Sequence, residues 1–140
     1  MQVKKRDGTL EDLNIDKLHK VVMYACEGIS GVSASEVEIN SHIQFFDKIL
    51  STDIQETLIK SAADLITEDS PNYQYVGGRL INYHLRKEVY GTFEPPCLCD
   101  IIQDNIDAGF YDAEFTELYT KEEINELNDF IKHDRDEVLT

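Results

Sequence analysis

At 140 residues the chain is long enough for one domain, or for one domain and a short second unit, with a real buried core. With 41% apolar and 29% charged residues it reads as globular, and no apolar run approaches the roughly 18 residues needed to span a bilayer. A formal charge of −15 argues against ordinary nucleic-acid binding, and a charged start with no apolar stretch behind it predicts no signal peptide and a cytoplasmic location.

Along the chain, Arg6-Asp7-Gly8 lies between extended runs at 2–5 and 9–13. Asp-Gly in that setting is a hairpin signal, because glycine accepts a positive φ at little steric cost. A first helix is expected over 16–27, with Leu18, Val21, Val22 and Ala25 at helical spacing and Gly28 as its stop. A second, over 35–46, carries Val37, Ile39, Ile43 and Phe46. A third, over 51–67, aligns Ile54, Leu58, Ala62, Leu65 and Ile66, and Thr52 with Gln55 has the spacing of a capping box. A fourth should open with Ser70 as N-cap and Pro71 at its first position and close before Gly91, with Tyr73, Val76, Leu80, Tyr83 and Leu85 facing inward. The pair Gly77-Gly78 in its middle points to close helix packing. Pro95-Pro96 ends this part of the chain. Shorter helices are expected over 97–107, 113–119 and 121–133, the last opened by a capping box of Thr120 and Glu123, and residues 134–140 show no closing element.

Charge is unevenly spread. Residues 1–90 hold 14 acids and 10 bases, whereas residues 91–140 hold 14 acids and three bases. Segment 3–20 carries five of the 13 Lys and Arg side chains against four acids. One basic group, Lys4, Lys5 and Arg6 with Lys17 and Lys20, surrounds the hairpin turn. Strand alternation lets only one of Lys4 and Lys5 face inward. A second group, Arg79, His84, Arg86 and Lys87, lies on the fourth helix with no acid among residues 79–87, and His84 and Lys87 share a face. If the hairpin packs over the helices, the two groups meet in a positive pocket suited to phosphate, with Ser51 at a helix N-terminus adding an end-on contact. Glu11 and Asn14 could bond a base or sugar.

No Walker-type loop, GxGxxG, GxSxG, HExxH or zinc quartet appears, so no catalytic residue and no metal ligand is assigned. Cys26, Cys97 and Cys99 have neither disulfide nor zinc spacing and are expected as reduced thiols.

Three blocks, KKRDGTLEDLNIDKLHKVVMYACEG, STDIQETLIKSAADLI and PNYQYVGGRLINYHLRKEVYG followed by FEPP, resemble the N-terminal ATP-cone domain of class I ribonucleotide reductase large subunits of bacterial and phage type. The likeness continues through YDAEF, YTKEEINELNDFI and KHDRD and so covers essentially the whole chain. It implies a mainly α fold, a four-helix bundle capped by a short N-terminal hairpin or three-stranded sheet and followed by short helices. Residues 1–92 would be the cone, and 93–140 an acidic helical segment leading toward a catalytic barrel. In such proteins the cone is an allosteric switch: ATP leaves the reductase active, and dATP turns it off by promoting an inhibited assembly of large and small subunits. The resemblance therefore implies ATP or dATP as effector, with Mg2+, and as partners the remainder of the large subunit and a radical-bearing small subunit.

It also puts nucleotide contacts on Lys5, on Glu11, Asp12, Leu13, Asn14, Ile15, Asp16 and Lys17, on Ser51 and Gln55, and on His84 and Lys87. Lys5, His84 and Lys87 would meet the triphosphate, and Glu11, Asn14 and Lys17 base, ribose or phosphate. The family commonly has Thr in place of Ser51 and often His in place of Gln55, a position that helps it tell dATP from ATP. Small residues that are usually Ala stand where this chain has Gly77-Gly78. The specificity site, barrel and redox cysteines of the family have no counterpart here, so the chain is expected as a fragment or as one piece of a split large subunit. The competing expectation is a non-enzymatic acidic interaction module on a cone scaffold, binding a partner protein with weak or no nucleotide binding.

Overall fold

The N-terminal ribbon forms where the chain reverses at Gly8. In the computed structural model, which describes residues 1–138, Gly8 takes φ +88° and donates its N–H to the Lys5 carbonyl at 2.9 Å, while Lys5 N–H reaches the Thr9 carbonyl at 2.8 Å. This turn joins β1 (Gln2–Lys4) to β2 (Leu10–Asp12) in antiparallel register, with Val3 opposite Glu11. A third strand, β3 (Ile49–Leu50), runs parallel to β1 with Val3 opposite Ile49, so the sheet order is β2-β1-β3. The expected architecture, helices with a small capping sheet, is what the chain adopts.

The helices of this part are α1 (Ile15–Cys26), α2 (Ala34–His42), α3 (Ser51–Asp64) and α4 (Tyr73–Tyr90). Asn14 caps α1 by accepting the Lys17 N–H at 3.0 Å, and Ser33 caps α2 from the Glu36 N–H at 3.4 Å. Val3 and Ile49 from the sheet join Leu18, Val22, Ala25, Val37, Leu58, Ala62, Val76 and Leu80 in one core. Tyr73 ties α4 to the start of α2: its hydroxyl donates to Glu36 Oε2 at 2.6 Å and accepts the Ser33 N–H at 3.0 Å. Burial, then the Glu36 carboxylate beside it, pushes the Tyr73 phenol above its ordinary value.

The chain divides into two compact units, Met1–Leu85 together with Glu137, and Arg86–Asp136. The second holds α5 (Leu98–Asp107), α6 (Glu114–Leu118), α7 (Lys121–Phe130) and the first four residues of a 3-10 helix (His133–Val138). In it α5 packs on α7 through the buried Ile102 and Ile124, and Asn128 Oδ1 accepts the Leu98 N–H at 2.8 Å. Arg86 is buried at 8% exposure because three acceptors from two segments share its guanidinium. It donates to Asp136 Oδ2 at 2.9 Å, to the His133 carbonyl at 3.0 Å and to the Phe93 carbonyl at 3.4 Å, and lies 4.8 Å from the centre of the Phe93 ring. Among the described residues no helix is long and apolar enough to cross a membrane.

Several boundaries differ from the sequence expectation. Helix α2 stops at His42, four residues early, because the chain must turn there to deliver β3 to the sheet; Ile39, Ile43 and Phe46 consequently face solvent. The capping box of Thr52 and Gln55 does not form: β3 runs directly into α3, so Leu50 occupies the N-cap position with no side-chain bond. Pro71 and Asn72 make a tight turn whose carbonyls accept the N–H groups of Gln74 and Tyr75, and the regular helix begins at Tyr73 rather than after Ser70. Leu85 and Ile66 are exposed rather than packed. The capping box of Thr120 and Glu123 forms as expected. The last helix ends at Phe130 rather than 133, and His133–Val138 coil into a 3-10 helix where no element was expected. Leu139 and Thr140, the end of that stretch, lie outside the described residues.

Gly77 faces α3, but the approach is not so close that only glycine fits. It is buried, and a Cβ built on it would lie 3.9 Å from the Ala62 Cβ, an ordinary van der Waals separation. A methyl therefore fits, while helix propensity favours Ala over Gly by about 1 kcal/mol. Gly77→Ala should raise unfolding stability in urea by up to about 1 kcal/mol, whereas Gly77→Leu should lower it by about 1–3 kcal/mol through overpacking. A destabilised Gly77→Ala would show that the α3–α4 approach admits no side chain at all.

Candidate functional site

A cleft opens within the first unit where the ribbon crosses the starts of α1 and α3. Its interior holds about 90 Å3, and about 520 Å3 when the open mouth is counted. The ribbon contributes Val3, Lys5, Glu11 and Asp12, and the link into α1 adds Leu13 and Asn14. From α1 come Lys17, Leu18 and Val21, from α3 Ser51, Ile54 and Gln55, and from α4 Tyr83.

Each element delivers its side chain for a local reason. Val3 is buried on the inner face of β1, so Lys5, two residues on, continues along that face and Lys4 faces solvent. This settles which of the adjacent lysines turns inward. Lys5 Nζ lies 3.1 Å from Glu11 Oε1, with the two side chains 37% and 53% exposed. Asn14 Oδ1 is engaged as the cap of α1. Ser51 is the first residue of α3, whose opening turn has no side-chain cap. Gln55 stands one turn further in, and its buried Oε1 has no hydrogen-bond partner among the described residues. Burial pushes the Tyr83 phenol up, so it stays neutral across the physiological range.

Eight of the twelve residues expected at the site are thus brought together: Lys5, Glu11, Asp12, Leu13, Asn14, Lys17, Ser51 and Gln55. Ile15 and Asp16, exposed on the first turn of α1, are not among the lining residues; Asp16 sits where a helix start favours an acid. His84 belongs to the first unit but does not line the cleft, and Lys87 belongs to the second unit. Sequence reasoning assigned Leu18, Val21, Ile54 and Tyr83 to the core alone. Helical periodicity marks a residue as inward-facing and says nothing about whether the inside is solid or hollow.

The expectation of a positive pocket needs correction. The lining holds two lysines, Lys5 and Lys17, and two acids, Glu11 and Asp12, so its formal charge balances. Arg79 is engaged elsewhere: its Nη1 donates to the Glu27 carbonyl at 2.6 Å, closing the C-terminus of α1, where a cation suits the helix dipole. Arg86 is used in the second unit, as described above.

Comparison with known proteins gives this geometry a family. Residues 1–88 match the ATP cone domain. The chain belongs to the ATP-cone family. The chain is similar over 134 residues, at 52% identity, to the Ribonucleoside-diphosphate reductase 1 subunit alpha of Escherichia coli K12. It is 49% identical over 136 residues to the subunit alpha of Haemophilus influenzae, and 39% identical over 140 residues to that of Enterobacteria phage T4. These alignments cover 96%, 97% and 100% of this chain but 18% of each relative, so the chain spans about a fifth of their length.

The turn that presents Lys5 has its own titration. Thr9 donates to Asp7 Oδ1 from its hydroxyl at 2.6 Å and from its N–H at 2.9 Å, and these bonds hold the Asp7 carboxyl below its ordinary 3.8. A depressed carboxyl stabilises the fold above the unfolded-state value and loses that contribution as pH falls through the folded one. The Thr9 amide resonance should therefore keep its native position at neutral pH and drift only as pH drops below about 3.8, and Asp7→Ala should abolish that drift. A Thr9 resonance indifferent to both would remove the turn's dependence on Asp7.

Proposed function

We propose that the cleft binds an adenine nucleotide and that the chain is the nucleotide-sensing, regulatory N-terminal part of a ribonucleoside-diphosphate reductase large subunit. The observation that carries this reading is the meeting of Lys5, Lys17 and the uncapped start of α3 at Ser51 beside an apolar wall of Leu18, Val21, Ile54 and Tyr83. Ammonium groups and helix-terminal N–H donors suit phosphate oxygens, and an apolar wall suits a purine. Glu11, Asp12, Leu13 and Asn14 would meet the nucleoside, and Gln55 offers a buried acceptor to a ligand donor.

His84 is assigned to the triphosphate as well, with Ile15 and Asp16 bordering the site. Lys87 lies one helical turn beyond Tyr83 in α4, and its part rests on the resemblance alone. A magnesium ion would accompany the triphosphate. Such a hard cation would bind the phosphate oxygens, with the Glu11 and Asp12 carboxylates within the same cleft.

ATP would be the activating effector and dATP the inhibiting one, and the partners would be the rest of the large subunit and a small radical-bearing subunit. A nucleotide can shift such an assembly only by binding its two states with different affinity. On this reading the chain contributes nucleotide binding and regulation, and no catalytic role is assigned to its residues.

Isothermal calorimetry with ATP and dATP tests the assignment. Lys5→Ala and Lys17→Ala should each weaken the triphosphate about tenfold, the usual scale for one charge-assisted hydrogen bond. Lys87→Ala measures separately whether the next turn of α4 contributes. Unchanged affinity in the Lys5 and Lys17 variants would remove the cleft as the site.

A further inference from the structure

The lining charges raise a question that depends on the reading of the cleft as a triphosphate site: why does a phosphate site keep a carboxylate on its leading lysine? Strand register makes the contact unavoidable. Val3 pairs with Glu11 across β1 and β2, so Lys5 is the diagonal neighbour of Glu11 on the same face of the ribbon. The 3.1 Å separation is that of a formed ion pair, and both partners remain open enough for an incoming anion to reach.

We propose that Glu11 is a built-in competitor for the phosphate: its carboxylate occupies Lys5 while the cleft is empty, and a polyphosphate binds by taking its place. The same pair then does two things. It holds the long Lys5 side chain over the cleft, which lowers the ordering cost when the ligand arrives. It also subtracts from affinity, because the pair must open and the freed carboxylate stays near the bound phosphates. Glu11 thereby raises the effector concentration at which the cleft fills. Exposed ion pairs are weak, so the handicap is a few-fold and remains displaceable. Asp12 provides the internal comparison. It is a carboxylate at the same cleft, but strand alternation sets it on the opposite parity from Glu11.

The test is calorimetry with inorganic tripolyphosphate and with ATP, in EDTA so that no cation masks the carboxylates. Wild type is compared with Glu11→Gln, Asp12→Asn, Lys5→Ala and the double variant Lys5→Ala/Glu11→Gln. Glu11→Gln should bind tripolyphosphate about three- to fivefold more tightly than wild type. Asp12→Asn should gain less, and the Glu11→Gln gain should vanish once Lys5 is gone. On the unaltered chain, NMR should show the Lys5 ammonium and Glu11 carboxyl resonances moving together, at one midpoint, as tripolyphosphate is added. The idea is overturned by equal or weaker binding in Glu11→Gln, by a gain that survives Lys5→Ala, or by an equal gain in Asp12→Asn. A loss of ATP affinity with tripolyphosphate binding unaltered would also overturn it, making Glu11 a reader of the nucleoside while the triphosphate site stands. Failure of both probes to bind any variant would remove the triphosphate site and the competitor together.

Discussion

The parallel pairing of β1 with β3 is the constraint on which the cleft depends. It is small: two residues of β3 match Val3 and Lys4, backed by the Lys48 N–H on the Gln2 carbonyl at 2.8 Å and the Gln2 N–H on Asp47 Oδ1 at 2.7 Å. Because β3 passes into α3 with no intervening residue, pairing the strand fixes the first turn of the helix beside the ribbon. The chain accepts some strain to achieve this, since Lys48 adopts a φ of +62°, a left-handed conformation uncommon for a side-chain-bearing residue. It also gives up a side-chain cap on α3. Both costs fall at the position where an uncapped helix start can serve a ligand.

The charge arrangement follows a similar logic. A protein of net charge −15 has two basic groups, around its first turn and on α4, yet three of these cations are engaged within the fold. Lys5 is met by Glu11, Arg79 closes the end of α1, and Arg86 joins the end of α4 to the loop at Phe93 and to the 3-10 helix. The two arginines take the jobs that need a rigid, forked donor, namely backbone carbonyls and a carboxylate in partly buried settings. The two lysines line the cleft, where a flexible point charge can follow a ligand.

The helices were the legible part of the fold, because periodicity, caps and breakers are local signals. Thr120 with Glu123 is an example, since both partners of that box lie within one turn. Thr52 with Gln55 has the same spacing and fails, because a strand ends where the cap would have to start. Ile39, Ile43 and Phe46 mislead for a related reason. Their spacing is helical, but the chain leaves the helix at His42 to reach the sheet. At the site, residue types and their resemblance to a known cone pointed to eight of the lining positions, and periodicity concealed the apolar wall within the core.

The sequence alone determined the hairpin turn, the helix count of the first unit, the buried stripes and the concentration of cations near the N-terminus. Each of these is decided within a few residues by backbone sterics, side-chain spacing or charge. Only the tertiary structure decided that the third strand is Ile49–Leu50 and runs parallel to β1, that Lys5 rather than Lys4 faces inward, that Arg79 and Arg86 are engaged away from the cleft, and that Glu11 meets Lys5. Those outcomes depend on which distant segments become neighbours. A two-residue strand has no sequence period of its own; its identity comes from the partner it pairs with.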